Sequence, residues 1–324
     1  MHRRLLISLL ILWAATSSVF AAELSQLVPP YNMEKYDNDI ARLYKILTAN
    51  DNKPIAKRIT TISQYFMDKP YLLGPLGEGS EGEYDQNPLY RTDAFDCVTY
   101  VSTVVALAAA KDLPQFKQAI KAVNYQDGQP RFRYRNHFME LDWNRNNQRK
   151  GYVTDITDKI LDAKGQPIAV IANATIDKPN WYKNFKASQL KLLKTLTPEQ
   201  TTELLSKLRA ESKHLQITQS TIPYLPLTKL FTDGKPNENI FAQIPTGTII
   251  EIVRPNWQLK KLIGTNMNVS HLGLAIRTPE GLMFREASSE EHKVIDIPLT
   301  QYLKKYLASP TIKGINVQAI LEKK

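Results

Sequence analysis

Cys97 is the only cysteine among the 324 residues, and it stands where a nucleophile could be activated. The run that follows it, VTYVSTVVALAAAK, has apolar side chains at helical spacing, and Asp96 is a residue type that commonly caps a helix N-terminus. Backbone N–H groups and the helix dipole stabilise a thiolate at that position, which makes the sulfur a better nucleophile. A buried structural thiol is the alternative, because free cysteine is among the most buried residue types.

A cysteine nucleophile needs a base, and His271 is the best placed of the histidines. It opens an apolar strand, LGLAI, so a rigid element could aim its ring at the thiol. Glu286, in the next β-rich run, could accept a hydrogen bond from the second ring nitrogen and so fix the tautomer. A hydrogen-bonded strand-end histidine and a solvated glutamate are the alternatives.

Other kinds of site find little support. A single cysteine excludes multi-cysteine zinc and iron–sulfur sites, and no two histidines have the three-to-five spacing of a metal pair. Gly77, Gly79 and Gly82 fit GxGxxG, but Glu78 and Glu81 would repel a phosphate there. We therefore expect neither a metal nor a cofactor.

The first 21 residues have the pattern of a secretory signal peptide. Two arginines precede an apolar run, and small residues end at Ala21. The run is short for a membrane span, and no cysteine lies near the cleavage point to take a lipid, so we expect no stable membrane anchor after cleavage. The expected location is the periplasm. Export argues against a nucleic-acid partner, and the basic balance, with a formal net charge of +10, suits an anionic envelope polymer or carboxylate-rich peptides.

The order of periodic segments predicts an α+β fold. Helical spacing indicates N-terminal helices at about 37–67, a helix near 113–123, and a helix–break–helix insertion at about 180–215. The alternation in RFRYR, residues 131–135, predicts a strand, and the basic stretch 131–149 could form a solvated strand edge or a carboxylate-binding wall. The C-terminal third consists of short β-rich runs with turn signals between them, as in an antiparallel sheet.

Five short motifs, taken in order, resemble those of one enzyme family. FDCVTYV, RNHFMELDW, IPTGTIIEIV, SHLGLAIR and FREASS are similar to the N-acetylmuramoyl-L-alanine amidase-like family, within the NlpC-type branch of the papain-like cysteine hydrolases. The matching pieces run from about Tyr71 to the C-terminus. The resemblance implies one catalytic domain over residues 22–324, in which the cysteine-bearing helix packs on an antiparallel sheet that carries the histidine. One difference is Glu286, where the family more often has a histidine.

The resemblance also implies a reaction: cleavage of the amide between the lactyl group of N-acetylmuramic acid and L-alanine, in peptidoglycan or muropeptides. The implied catalytic residues are Cys97, His271 and Glu286. The implied substrate contacts are Tyr71, His137, Asp142 and Trp143, the last three with packing of a loop as the alternative. Two other functions stay open, a D-glutamyl endopeptidase of the stem peptide and a non-catalytic envelope-binding protein with Cys97 merely buried.

Overall fold

A computed structural model describes residues 26–48 and 54–323, and the predicted signal peptide lies outside these ranges. The helices are α1 Met33–Thr48, α2 Ile55–Tyr65, α3 Cys97–Ala109, α4 Leu113–Asn124, α5 Asn144–Arg149, α6 Lys178–Lys183, α7 Pro198–Ala210, α8 Leu227–Leu230, α9 Glu238–Ala242, α10 Lys260–Ile263 and α11 Leu299–Lys304. The strands are β1 Gln26–Leu27, β2 Val153–Asp155, β3 Val170–Asp177, β4 Lys191–Leu192, β5 Ile217–Pro226, β6 Phe231–Thr232, β7 Lys235–Pro236, β8 Thr248–Trp257, β9 Met267–Thr278, β10 Gly281–Ser288, β11 Lys293–Pro298 and β12 Gly314–Ile320.

The largest sheet has the strand order β11-β10-β9-β8-β12-β5-β3, with β2 also paired to β12. Each of these pairings is antiparallel. The expectation of an α+β fold with an antiparallel sheet is therefore confirmed. The strands β8, β9, β10 and β11 are consecutive in the chain and adjacent in the sheet. Because neighbouring strands are joined directly, local turn signals were enough to predict strands in this part of the chain.

Helix α3 forms the centre of the core beside this sheet. All of its residues from Tyr100 to Ala108 are buried, and most of them are apolar. A helix that is apolar on nearly every face must be covered on all sides. The sheet covers it through β9 and β10, and the helices α2 and α4 cover it elsewhere. Its first turn is closed by a capping box, in which Asp96 accepts the Thr99 N–H at 2.8 Å and Thr99 Oγ1 accepts the Asp96 N–H at 2.9 Å.

Two segments differ from the sequence prediction. The predicted strand at residues 131–135 is wrong: Phe132–Tyr134 form a 3-10 turn. The alternation there arises because Phe132 packs into an aromatic cluster while Arg131 and Arg133 face solvent, a pattern that a single tight turn also produces. Strands β3 and β5 were not predicted. They pair with each other at the edge of the sheet, and the segment at 180–215, which contains most of α6 and all of β4 and α7, connects them.

Close packing around Gly273 leads to a stability prediction. A Cβ at this position would lie 2.6 Å from Phe284 Cε2 and 2.7 Å from the backbone oxygen of Arg285. Gly273→Ala should lower the free energy of unfolding by about 1–3 kcal/mol, as overpacked substitutions in cores do. Urea unfolding of the purified protein measures the loss.

Phe284→Leu provides the control for that substitution. It removes the ring atoms that the new methyl group would meet, so the double variant should lose less stability than the sum of the two single variants. Strict additivity would contradict the proposed clash.

Candidate active site

Three side chains from distant parts of the chain meet at one end of α3. The imidazole of His271 is hydrogen-bonded through Nε2 to Glu286 Oε2, and it lies close enough to Cys97 for the two groups to interact electrostatically. Since Nε2 is used by Glu286, Nδ1 is the nitrogen left to face the thiol. The His271 side chain is 19% exposed and that of Glu286 is 6% exposed, so the contacts lie mostly out of water.

A β-bulge sets the direction of His271. Ile252 of β8 pairs with His271 and Val253 pairs with Val269, which leaves Ser270 without an opposite residue. An extra residue of this kind bends the strand and re-aims the neighbouring side chain. The bulge therefore lies directly before the imidazole that contacts Cys97.

Two aromatic rings, one from β10 and one from α11, pack against the imidazole of His271. Phe284 of β10 meets it edge-on at a centroid distance of 5.9 Å, and Tyr302 of α11 stacks on it at 6.3 Å. Burial next to Glu286 raises the pKa of Tyr302, so its hydroxyl stays protonated. Tyr302 was not foreseen, because nothing in the LTQYLK segment indicates which strand α11 will cover.

The surroundings of His271 decide its charge. Burial lowers the pKa of the imidazole, but the charge and hydrogen bond of Cys97, together with those of Glu286, outweigh burial and raise the pKa to about 10. His271 therefore holds its proton through the neutral range. A protonated imidazole beside a thiol is one half of the thiolate–imidazolium pair from which a cysteine nucleophile attacks.

Tyr71 reaches the same site from the loop before α3. Its N–H donates to the His292 carbonyl at 2.8 Å, and the Leu72 N–H donates to the Phe95 carbonyl at 2.9 Å, so this segment is held between β11 and the start of α3. Burial and the nearby charges of Cys97, Asp96 and Glu286 raise the pKa of Tyr71. Its hydroxyl therefore keeps its proton and can donate a hydrogen bond.

Asp96 holds the start of the helix that carries Cys97. Besides the Thr99 N–H, its carboxylate accepts the Gly74 N–H at 2.9 Å, which ties the preceding loop to the helix start. Burial raises the pKa of Asp96, and hydrogen bonds from backbone N–H groups oppose that rise. The cap therefore fixes the position of Cys97 at the first residue of α3.

The three other predicted substrate contacts have partners of their own within the protein. His137 is enclosed by Phe132 and Trp181, its Nε2 is 2.7 Å from the Phe132 carbonyl, and burial next to Arg135 lowers its pKa well below the usual value. Its neutral ring serves as packing for the aromatic cluster.

Asp142 and Trp143 are likewise engaged within the protein. Asp142 pairs with Lys178 at 2.6 Å. Trp143 is 1% exposed, and its indole N–H donates to Ser102 Oγ at 3.0 Å. In the described ranges no hydrogen bond or ring contact joins either residue to the thiol–imidazole pair, so the geometry favours the packing alternative.

Neither a metal centre nor a membrane span is found in the described part of the chain. Residues 26–48 and 54–323 contain no group of three or more His, Cys, Asp or Glu side chains arranged to hold a metal ion. None of the helices in those ranges combines the length and the apolar composition that crossing a bilayer requires.

Comparison with known proteins adds the family to this geometry. The profile of the family described as N-acetylmuramoyl-L-alanine amidase-like matches residues 61–312, a span that includes the thiol, the imidazole and Glu286. The chain belongs to the N-acetylmuramoyl-L-alanine amidase-like family. The resemblance drawn from the sequence motifs is thus confirmed at this level, and family membership supports an amidase-like hydrolase.

Solved structures extend the likeness to most of the chain. A Legionella pneumophila protein of the family DUF1460 is 45% identical, with 90% of this chain and 96% of that chain covered and a TM-score of 0.87. An N-acetylmuramoyl-L-alanine amidase from Bacteroides uniformis is 23% identical, with 83% and 99% covered and a TM-score of 0.56, which shows a shared fold. No curated protein matches the sequence.

Removing the carboxylate partner should lower the pKa of His271. Glu286→Gln deletes the negative charge that favours the protonated ring, so the imidazole should release its proton at a lower pH than the value of about 10 in the parent protein. An NMR titration of the His271 ring protons measures the shift. Cys97→Ala should also lower the pKa of His271, because Cys97 contributes more than Glu286 to raising it.

Glu291→Gln is the matched control, since Glu291 is an exposed glutamate beyond the end of β10. Its titration curve should overlay that of the parent protein. An unchanged curve in Glu286→Gln would contradict the ion-pair interpretation.

Proposed function

We propose that the protein is an exported cysteine amidase that cleaves the bond between the lactyl group of N-acetylmuramic acid and L-alanine. The observation that carries the proposal is the Cys97–His271–Glu286 contact in a chain of the amidase-like family. A nucleophile, a base and an orienting carboxylate within hydrogen-bond reach form the constellation that acyl transfer requires.

The reaction begins at the sulfur. The Cys97 thiolate attacks the lactyl carbonyl, and the carbonyl carbon becomes tetrahedral with a negative oxygen. His271 donates its proton to the nitrogen of the departing L-alanine, which leaves as the free stem peptide. The sugar remains on the sulfur as a thioester. His271, now neutral, accepts a proton from water, and the resulting hydroxide hydrolyses the thioester and restores the thiolate.

Two donors serve the tetrahedral oxygen in this proposal. The backbone N–H of Cys97 is at the positive end of α3, and one such donor is worth about 3–4 kcal/mol in the transition state. The Tyr71 hydroxyl is the second, because the raised pKa of Tyr71 keeps its proton in place at neutral pH. Glu286 keeps the imidazole oriented, as an acidic third member where relatives more often have histidine.

The wider assignment follows from the same arrangement. A cysteine at the N-terminus of a helix that packs on a histidine-bearing antiparallel sheet supports the NlpC-type, papain-like class. We assign residues 22–324 to one catalytic domain and residues 1–21 to a cleaved signal that directs the protein to the periplasm. Peptidoglycan or a muropeptide is then the partner, and no membrane anchor, cofactor or nucleic acid takes part.

Replacement of the nucleophile tests the proposal. Cys97→Ala should reduce the release of stem peptide from muropeptides about a thousandfold or more, as loss of a catalytic nucleophile does. Mass spectrometry of the products measures the rate. His271→Ala should cost a similar factor, and circular dichroism should show both variants folded. Undiminished cleavage by Cys97→Ala would end the proposal.

The same products separate the rival reaction. An amidase releases a peptide that begins with L-alanine, whereas a D-glutamyl endopeptidase leaves L-alanine attached to the sugar. A fragment in which muramic acid retains L-alanine would overturn the assigned bond while leaving the cysteine mechanism intact.

A further inference from the structure

Arg254 lies on β8 close to the proposed catalytic histidine. Ile252 pairs with His271 across the β8–β9 ladder, and residues two apart on a strand project to the same side of the sheet. Arg254 therefore lies on the same face of the sheet as Ile252, the residue opposite His271, just past the bulge at Ser270. Its guanidinium also interacts electrostatically with Tyr306 and Tyr302, the second of which stacks on the His271 ring.

The guanidinium of Arg254 has no anionic partner among residues 26–48 and 54–323. No carboxylate forms an ion pair with it, and its Nε is buried without a hydrogen-bond partner. Burial lowers the pKa of Arg254, and only the two tyrosines oppose that effect. A charged group withdrawn from water normally requires a partner, so this donor is unusual.

Three other arginines that are buried or half-buried show the usual arrangement, in which a carboxylate pairs with the guanidinium. Arg285 grips Asp296 with two donors, each 2.7 Å from a carboxylate oxygen, and Arg135 binds Glu78 and Asp85. Arg91 pairs with Asp93 at 2.7 Å. Arg254 is half-buried, and among the described residues it lacks the carboxylate partner that these three arginines have.

The indole of Trp257 prepares the guanidinium to bind an anion. Arg254 Cζ lies 4.3 Å from the centre of the Trp257 ring. Stacking holds one face of the planar guanidinium and leaves the N–H donors at its edge free, in the fork that matches a carboxylate. The side chain is therefore held in place before a ligand arrives.

We propose that Arg254, held by Trp257, binds a carboxylate of the peptide part of the substrate next to the Cys97–His271 site. This inference rests on the proposed function and adds a specificity-determining contact to it. The predicted carboxylate-binding wall at residues 131–149 is not needed for this role, because Arg131 and Arg133 face solvent and Arg135 is already paired.

The test compares muropeptides in which each free peptide carboxylate is replaced in turn by the primary amide, which has nearly the same shape. For one carboxylate, the parent protein should show kcat/KM about 10- to 100-fold higher than for the amide, the range expected of a charge-assisted hydrogen bond. Arg254→Met should reduce that ratio to about one by raising KM for the carboxylate form. Arg254→Lys should restore part of the ratio, since it returns the charge without the fork.

Arg131→Met is the matched control, an exposed arginine changed in the same way, and it should retain the full ratio. A parent protein with no preference for any carboxylate overturns the proposal, whatever the variants do. An equal loss of kcat/KM for both members of the pair in Arg254→Met also overturns it, since that is the result of a structural role.

Binding measurements separate this inference from the function on which it rests. Titration calorimetry of Cys97→Ala with the same carboxylate and amide pairs needs no turnover. A preference in binding that disappears in Cys97→Ala/Arg254→Met supports the carboxylate site even if the assigned bond is wrong. Equal affinity of Cys97→Ala for both members of every pair contradicts the site even if cleavage depends on Cys97.

Discussion

The arrangement depends on one imidazole held between a sulfur and a carboxylate. His271 is hydrogen-bonded to Glu286 and interacts with Cys97, and the three groups come from a helix and two strands. In a poorly hydrated site each charge acts on its neighbour with little screening, so the imidazolium is stabilised despite its burial. Loss of either partner would leave a buried charge that only the other could compensate.

A comparison of two half-buried histidines of this chain illustrates how the neighbouring groups set the pKa. His137 lies among aromatic rings with Arg135 and Lys178 nearby, and its pKa falls. His271 also has aromatic neighbours, Phe284 and Tyr302, but its pKa rises because its interactions with Cys97 and Glu286 outweigh burial. Burial alone therefore does not determine the role of a histidine in this fold.

Much of the remaining structure fixes the relative positions of these elements. The loop before α3 is bound to β11 through Tyr71 and to the helix cap through Gly74. Arg285, next to Glu286 on β10, reaches Ser63 of α2 as well as Asp296 of β11. Helix α2 is thus bonded to the strand that carries Glu286, so a change in the position of α2 would also move this strand.

Local patterns in the sequence were enough to identify the cap at Asp96, the helix after Cys97, the antiparallel strands around His271 and the family motifs. These features depend on neighbours along the chain, through helical spacing, capping chemistry and short hairpin connections.

The tertiary structure alone decided that Tyr302 covers His271, that β3 and β5 extend the sheet, and that Phe132 forms a turn rather than a strand. Within the described residues it also left Arg254 without a carboxylate partner, packed His137 against Phe132 and buried Trp143 in the core. Those outcomes depend on which distant surfaces come together, and a one-dimensional pattern does not contain that information.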